Sequence, residues 1–266
     1  MIPSRPPSLP SKFLSRHPRI IGALMMRETM TRFGREGLGF LWLVGEPLAF
    51  CLGVIALWTI LKPPYEHGIR VGAFVMTGYM SLLLLRHQIS FAMNALNANA
   101  GVLYHRHVKP MHIYLSRAIL EFAGSTLALV VIYALLLAFG QVSLPANIGL
   151  VYAGWFILAA LGFGMGLIMS AMAMRFETFE RLSQLITYLL IPLSGAFFMA
   201  DTLPPGLREY YLLIPLPHTV EMIRSGVFGE FVATHYSITY PLAWAGGLIT
   251  LGLILLKVFK DRVDVE

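Results

Sequence analysis

The sequence predicts an all-α integral membrane protein. Six transmembrane helices are expected, with an amphipathic interfacial helix ahead of the first and a short periplasmic re-entrant helical pair ahead of the last. Three observations predict this. Of 266 residues, 57% are hydrophobic and only 13% charged, whereas a soluble domain uses about 25% charged residues to cover its surface; the mean hydropathy is +0.70. Apolar stretches fall at about 40–62, 72–95, 114–139, 147–174, 182–200 and 236–257. Each has the roughly 19 residues or more that cross about 30 Å of hydrocarbon at about 1.5 Å per residue. Basic residues, finally, divide unevenly between alternate loops, as they do when loop charge sets orientation.

Taken in order, residues 1–19 hold five prolines and four basic residues. They lack the apolar core of a cleaved signal peptide and are expected to form a flexible cytoplasmic tail. Residues 20–38 carry a helical pattern. Met26, Met30 and Phe33 share one side, while Arg27, Thr31 and Arg35 form one opposite stripe and Glu28, Arg32 and Glu36 the next. Glu28, Arg32 and Glu36 are four apart and opposite in sign, so that face can pair with itself. Such a helix lies flat on a bilayer with its apolar side down. Gly37 and Gly39 then allow the chain to turn into the first span, where Glu46 is the only charge and Pro47 frees a carbonyl.

Arg86 and His87 interrupt the second span. Charge at that depth faces protein or water, so Arg86 has two options, pairing with Glu46 or reaching toward the interface. The cytoplasmic loop 96–113 runs through asparagines 97 and 99 (Asn94 just precedes it) and then Tyr104, His105, Arg106, His107, Val108, Lys109 and Pro110. Its histidines have no carboxylate or cysteine beside them, so a surface that docks another protein fits better than a metal site. The third span opens with Arg117 and Glu121. The fourth carries Gly162, Gly164 and Gly166, small residues that let helices approach closely. Segment 201–231 is neither span nor ordinary loop, because Pro204, Pro205, Pro215 and Pro217 break its short apolar run and a helix follows from about Thr219. Backbone of this kind survives at membrane depth only against protein or water, which suggests a re-entrant pair serving as an exit gate or a structural cap. A cytoplasmic tail, 258–266, ends the chain.

Fifteen basic residues lie on the side expected to carry both termini and four (Lys62, Arg70, Arg208, Arg224) on the other, which predicts cytoplasmic termini. The net charge of +6 then reports orientation, not nucleic-acid binding. Cys51 is the only cysteine, so no disulfide framework or cysteine metal site is expected. The sequence has no G-x-x-x-x-G-K-[ST], no G-x-S-x-G and no HExxH. Inverted halves with matching broken helices are not evident either. A transporter built this way takes its energy from another subunit, and no catalytic residues and no metal site are assigned.

Three blocks in their order resemble the membrane subunit of the ABC-2 type polysaccharide exporters, specifically the capsular polysaccharide export permeases. They are R-E-T-M-T-R-F-G-R-E-G-L-G-F-L-W-L-V-G-E-P-L at 27–48, N-A-N-A-G-V-L-Y-H-R-H-V-K-P-M-H-I-Y-L-S-R-A-I-L-E at 97–121, and P-L-P-H-T-V-E-M-I-R-S-G-V-F at 215–228. The resemblance covers the chain from about residue 20. It implies a homodimer in the bacterial inner membrane joined to two ABC ATPase subunits, which bind the ATP and magnesium; this chain itself holds no cofactor. Lipid-linked polysaccharide would pass through a channel between the two copies, with periplasmic co-polymerase and outer-membrane export proteins as further partners. Channel lining from the first and fifth spans would fall here to Trp42, Glu46, Phe50, Trp58, Tyr188, Phe197 and Phe198, with Arg86 and His87 added from the second. Aromatic faces suit sliding sugars, although an aromatic belt at the membrane interface explains Trp58 equally well. Coupling to the ATPase would fall to Arg106, His107, Val108, Lys109 and Pro110. Basic contacts to anionic lipid would come from Arg27, Arg32 and Arg35, and a periplasmic gate from Tyr210, Tyr211, Pro215, Pro217 and His218. An ABC-2 permease for O-antigen, teichoic acid or a small drug stays open, as do a membrane enzyme using Arg86, His87 and Glu46 and a secondary transporter coupled through Glu46 and Arg86.

Overall fold

The computed structural model describes residues 9–33, 39–63, 65–66, 68–103 and 107–263. Helix α1 spans Leu9–Phe33 and α2 Gly39–Leu61. A two-residue antiparallel pairing follows, β1 (Tyr65–Glu66) with β2 (Ile69–Arg70), turning at Gly68 with φ +80°. Next come α3 (Val71–Met93), the single turn α4 (Ala100–Leu103), α5 (Pro110–Ala138), α6 (Ile148–Arg175) and α7 (Glu177–Leu193). Two shorter helices, α8 (Pro205–Tyr211) and α9 (Pro215–Phe228), precede α10 (Thr239–Val263). The chain is therefore mostly helical, as an all-α membrane protein should be.

Among the described residues, α2 (over Val44–Leu61), α5, α6 and α10 (over Thr239–Phe259) are long and apolar enough to cross a membrane. Two expected spans miss that measure. In α3 the run Arg86, His87 and Gln88 lowers the apolarity, and α7 has 17 residues, about 25 Å at the helical rise. The fifth span was expected over 182–200, but the helix stops at Leu193 and turns at Gly195 with φ +77°, a backbone state that glycine adopts without strain.

Two further expectations change. Residues 9–19, read as a flexible tail, are helical. Pro10 falls in the first turn of α1, where its missing N–H costs nothing. Pro215 and Pro217, read as breakers, also lie in a first turn, with Pro215 at the opening position of α9 and Ile214 as its extended cap. Residues 34–38, the turn between α1 and α2, lie outside the described residues.

Helix α6 is the axis of the bundle, in contact with α3, α9 and α10. Its glycines make this possible. A Cβ on Gly154 would meet the Thr219 carbonyl of α9 at 2.9 Å, one on Gly162 the Gln88 Cβ of α3 at 2.9 Å, and one on Gly164 the Leu248 Cβ of α10 at 2.8 Å. Small residues at these crossings replace the hydrophobic drive that lipid cannot supply. Two hydroxyl contacts pin α6 to α5: Trp155 Nε1 donates to Thr126 Oγ1 at 2.9 Å, and Tyr114 and Ser170 hydroxyls lie 2.7 Å apart. The bundle has two dissimilar ends, one carrying α1 and the start of α5, the other carrying α8, α9 and the start of α3.

Candidate functional site

The residues expected to line a channel separate into three groups. Trp42, Glu46 and Phe50 are four apart and lie along one stripe of α2; Trp42 is 63% and Phe50 57% exposed, while Glu46 is half-buried. Tyr188 on α7, also 57% exposed, lies under the guanidinium of Arg86, 5.6 Å from the ring centroid, a cation–π distance. Trp58 turns inward at the other end, with ring centroids 5.8 Å from Phe197 and 6.2 Å from Phe74, and Lys62 Nζ stands 4.4 Å from its ring. Helices α2 and α7 thus flank α3 and meet its side chains.

Two members are placed otherwise than expected. Arg86 does not pair with Glu46: among the described residues no ion pair joins them, and Arg86 spends its charge on Tyr188. His87, one position along and about 100° round the helix, faces α5, where its Nδ1 lies 3.7 Å from Glu121 Oε2. Phe197 and Phe198 belong to the turn after α7, not to a span.

Of the residues expected at a gate, Tyr211, Pro217 and His218 pack at the α9 end. Tyr211 lies against Phe198, ring centroids 5.0 Å apart, and burial pushes its hydroxyl pKa up. Tyr210 is exposed. Pro217 packs on Gly195. His218 accepts the Ser237 N–H at Nδ1 (3.0 Å), so its Nε2 carries the proton it donates to the Leu212 carbonyl (2.8 Å). In that tautomer it ties the α8–α9 turn to the segment before α10.

The residue that organises this end was read only as a loop charge. Arg224 on α9 is 0% exposed. Its Nη1 donates to the carbonyls of Gly195 (2.9 Å) and Phe198 (2.8 Å) and its Nη2 to that of Ala196 (2.8 Å), while its guanidinium lies 4.3 Å from the Phe74 ring. It therefore holds the turn that follows α7 and clamps it onto α3 and α9. Glu221, one turn back, takes the N–H groups of Ala200 and His235 at 3.2 Å each and faces Arg224 at 3.8 Å. Burial pushes its carboxyl pKa up, against the pull of Arg224 and those two N–H groups. A Glu-x-x-Arg pair in an otherwise apolar segment was the available signal.

At the opposite end, Lys109 caps α5 and Pro110 opens it, with Val108 half-buried in the apolar cluster of Leu24, Ala92 and Ile113. His107 and Lys109 are exposed. The Lys109 N–H donates to His112 Nδ1 at 3.1 Å, so His112 Nε2–H donates to His17 Nδ1 at 2.7 Å. Arg27 donates to Asn99 Oδ1 at 3.0 Å. Arg35 and Arg106 lie outside the described residues, as does the side chain of Arg32. Glu28, expected on the solvated face, is turned inward at 7% exposure, where Arg117 Nη2 donates to its Oε1 at 2.7 Å. Burial of Leu24 beside Ile20 fixes the face that α1 presents, and Glu28, four residues on, follows it in. Three polar links therefore join α1 to α5, through His112 and Arg117, and to the segment before it, through Asn99.

Comparison with known proteins agrees with this architecture. The profile of the ABC-2 type transporter family matches residues 19–228. The capsule polysaccharide export inner-membrane protein CtrC of Neisseria meningitidis serogroup B is 38% identical over 93% of this chain and 94% of its own length. The corresponding protein of Haemophilus influenzae, BexB, is 34% identical over the same shares. The polysialic acid transport protein KpsM of Escherichia coli is 28% identical over 91% of this chain and 94% of its own. The chain belongs to the ABC-2 type transporter family, an inner-membrane protein whose relatives there are those of capsule polysaccharide export.

Proposed function

We propose that this chain is the permease subunit of an ATP-driven exporter that moves a lipid-linked capsular polysaccharide across the inner membrane. Near-full-length similarity to capsule polysaccharide export proteins carries this reading. Two copies act with two ABC ATPase subunits, both termini cytoplasmic, so the α1 end is the cytoplasmic end and the α9 end the periplasmic one. Helices α2, α3, α5, α6, α7 and α10 all cross, and α8 with α9 forms the re-entrant pair. The exposed stripe of Trp42 and Phe50 on α2 and the exposed Tyr188 face of α7 line a path between the copies. Flat aromatic faces there stack on sugar C–H surfaces and allow stepwise sliding. The links from α1 to Asn99, His112 and Arg117, which flank the Val108-Lys109-Pro110 corner on both sides, favour coupling there.

Co-purification with its ABC ATPase and export from proteoliposomes tests the reading. The wild-type chain should form a stable complex that exports glycolipid. Alanines at Val108, Lys109 and Pro110 should leave ATP hydrolysis running while export per ATP falls about tenfold. Cysteines at Phe50 or Tyr188 should cross-link to a second copy. A chain that purifies alone and acts on lipid-linked sugar without the ATPase overturns the proposal and restores the enzyme alternative.

A further inference from the structure

The geometry points to Glu28 and Arg117 as the joint through which movement of α1 reaches α3 and α7. This rests on the permease reading above. The pair is buried on both sides and closes at 2.7 Å between residues 89 apart in sequence. Arg117 does more than hold α1, because its Nη1 donates to the Phe91 carbonyl in the last turn of α3 at 3.1 Å. One guanidinium thus touches three helices. One turn along α5, Glu121 faces His87 of α3 at 3.7 Å, and the His87 ring meets Phe91 edge-on at 5.8 Å. Arg86, the next residue of α3, lies on the Tyr188 ring of α7. The contacts run unbroken from Glu28 to Arg117, to Phe91 and His87, to Arg86, to Tyr188.

Stability alone does not call for ions here. Apolar side chains of the same volume hold helices together as well as a buried ion pair does, and often better. An ion pair adds direction. It is strongest when the two groups are aligned and in contact, weakens as they separate by a few ångströms, and is free to re-form, so a displacement of α1 either drags Arg117 with it or releases it. Among the described side chains of α1, the apolar hold centres on Leu24 and Ile20, with Met26 and Met30 exposed. Glu28 and Arg117 are positioning residues; they touch neither the sugar nor ATP.

The test uses the full complex in nanodiscs, with spin labels on cysteines at Met26 and Leu189, both exposed, while the buried Cys51 stays unreactive. In the wild type, ATP should shift both the Met26 and the Leu189 inter-copy distances. In the E28Q/R117Q double variant, which removes both charges, Met26 should still shift, Leu189 should not, and export per ATP should fall about tenfold. The conservative Glu28→Asp variant, which keeps both charges and the Arg117 bond to the Phe91 carbonyl, should keep the Leu189 shift at least in part. If Leu189 moves in E28Q/R117Q as in the wild type, the joint is overturned and the permease reading stands. If neither label moves in the wild type, the permease reading falls and takes the joint with it.

Discussion

The two ends of the bundle each bury an arginine, and the two are held in different ways. Arg224 at the α9 end is bound to three main-chain carbonyls of the turn after α7. Arg117 at the α1 end is bound to a carboxylate on α1, a helix held besides by Leu24, Ile20 and the His17 and Arg27 hydrogen bonds. Main-chain ligands cannot leave without unfolding the turn that presents them. A side-chain carboxylate can swing away with its helix. The first arrangement is a rivet and the second a latch. A transporter that is pushed at one end and must stay sealed at the other has use for both.

The sharpest way to break this comparison is Arg224→Gln. It leaves three carbonyls and the Glu221 carboxylate without their cation in a dry site, a loss of about 3–5 kcal/mol. The protein should fail to accumulate, or melt well below wild type in detergent. Arg224→Lys should rescue little, since one ammonium cannot reproduce a planar fork on separated carbonyls. A lysine variant as stable as wild type would show that only charge matters there.

Arg117 should behave differently. Arg117→Gln alone takes from Glu28 the guanidinium it holds at 2.7 Å and should cost about 3 kcal/mol. Adding Glu28→Gln should return part of that, because the double variant no longer buries the carboxylate that lost this partner. A thermodynamic cycle of melting in the four proteins measures the coupling. Strict additivity would mean that Glu28 and Arg117 do not act as a pair.

The sequence already exposed the apolar frame: α2, α5, α6 and α10 stand out by hydropathy alone, and the glycines of α6 announced a close crossing. What it hid was orientation. The helical pattern of 26–36 places Glu28 in a charged stripe with Arg32 and Glu36, beside Arg27 and Arg35, and nothing local says that Leu24 will be buried and carry Glu28 inward with it. Arg224 looked like a loop charge because its ligands are carbonyls of Gly195, Ala196 and Phe198, groups every residue possesses. The aromatic residues named for a channel were legible as types, but their partners (Arg86 with Tyr188, Trp58 with Phe197, Phe198 with Tyr211) are long-range and follow from tertiary packing. Pro215 misled because the same ring that breaks a helix interior opens a helix at its first position.

A smaller effect sharpens the rivet itself. Gly78 on α3 lies so near the turn that an added Cβ would overlap the Ala196 carbonyl, one of the oxygens that Arg224 holds. Gly78→Ala should therefore cost about 1–3 kcal/mol through overpacking. Gly53→Ala on α2, where nothing stands within 4 Å, should be neutral or slightly stabilising, as alanine is the better helix former. Equal melting of the two variants would mean that α3 can slide away from the turn without penalty.

The smallest expected effect distinguishes packing from polarity at the same place. Tyr211 is held by its ring against Phe198, and its buried hydroxyl has no hydrogen-bond partner among the described residues. Burying an unsatisfied hydroxyl is unfavourable, so Tyr211→Phe should leave melting unchanged or raise it by less than about 1 kcal/mol, whereas Tyr211→Ala should cost about 3 kcal/mol from the lost ring. If the phenylalanine variant melts lower than wild type, the hydroxyl has a bonded partner in the membrane. The α9 end would then be a wet, adjustable gate and not the dry rivet that Arg224 suggests.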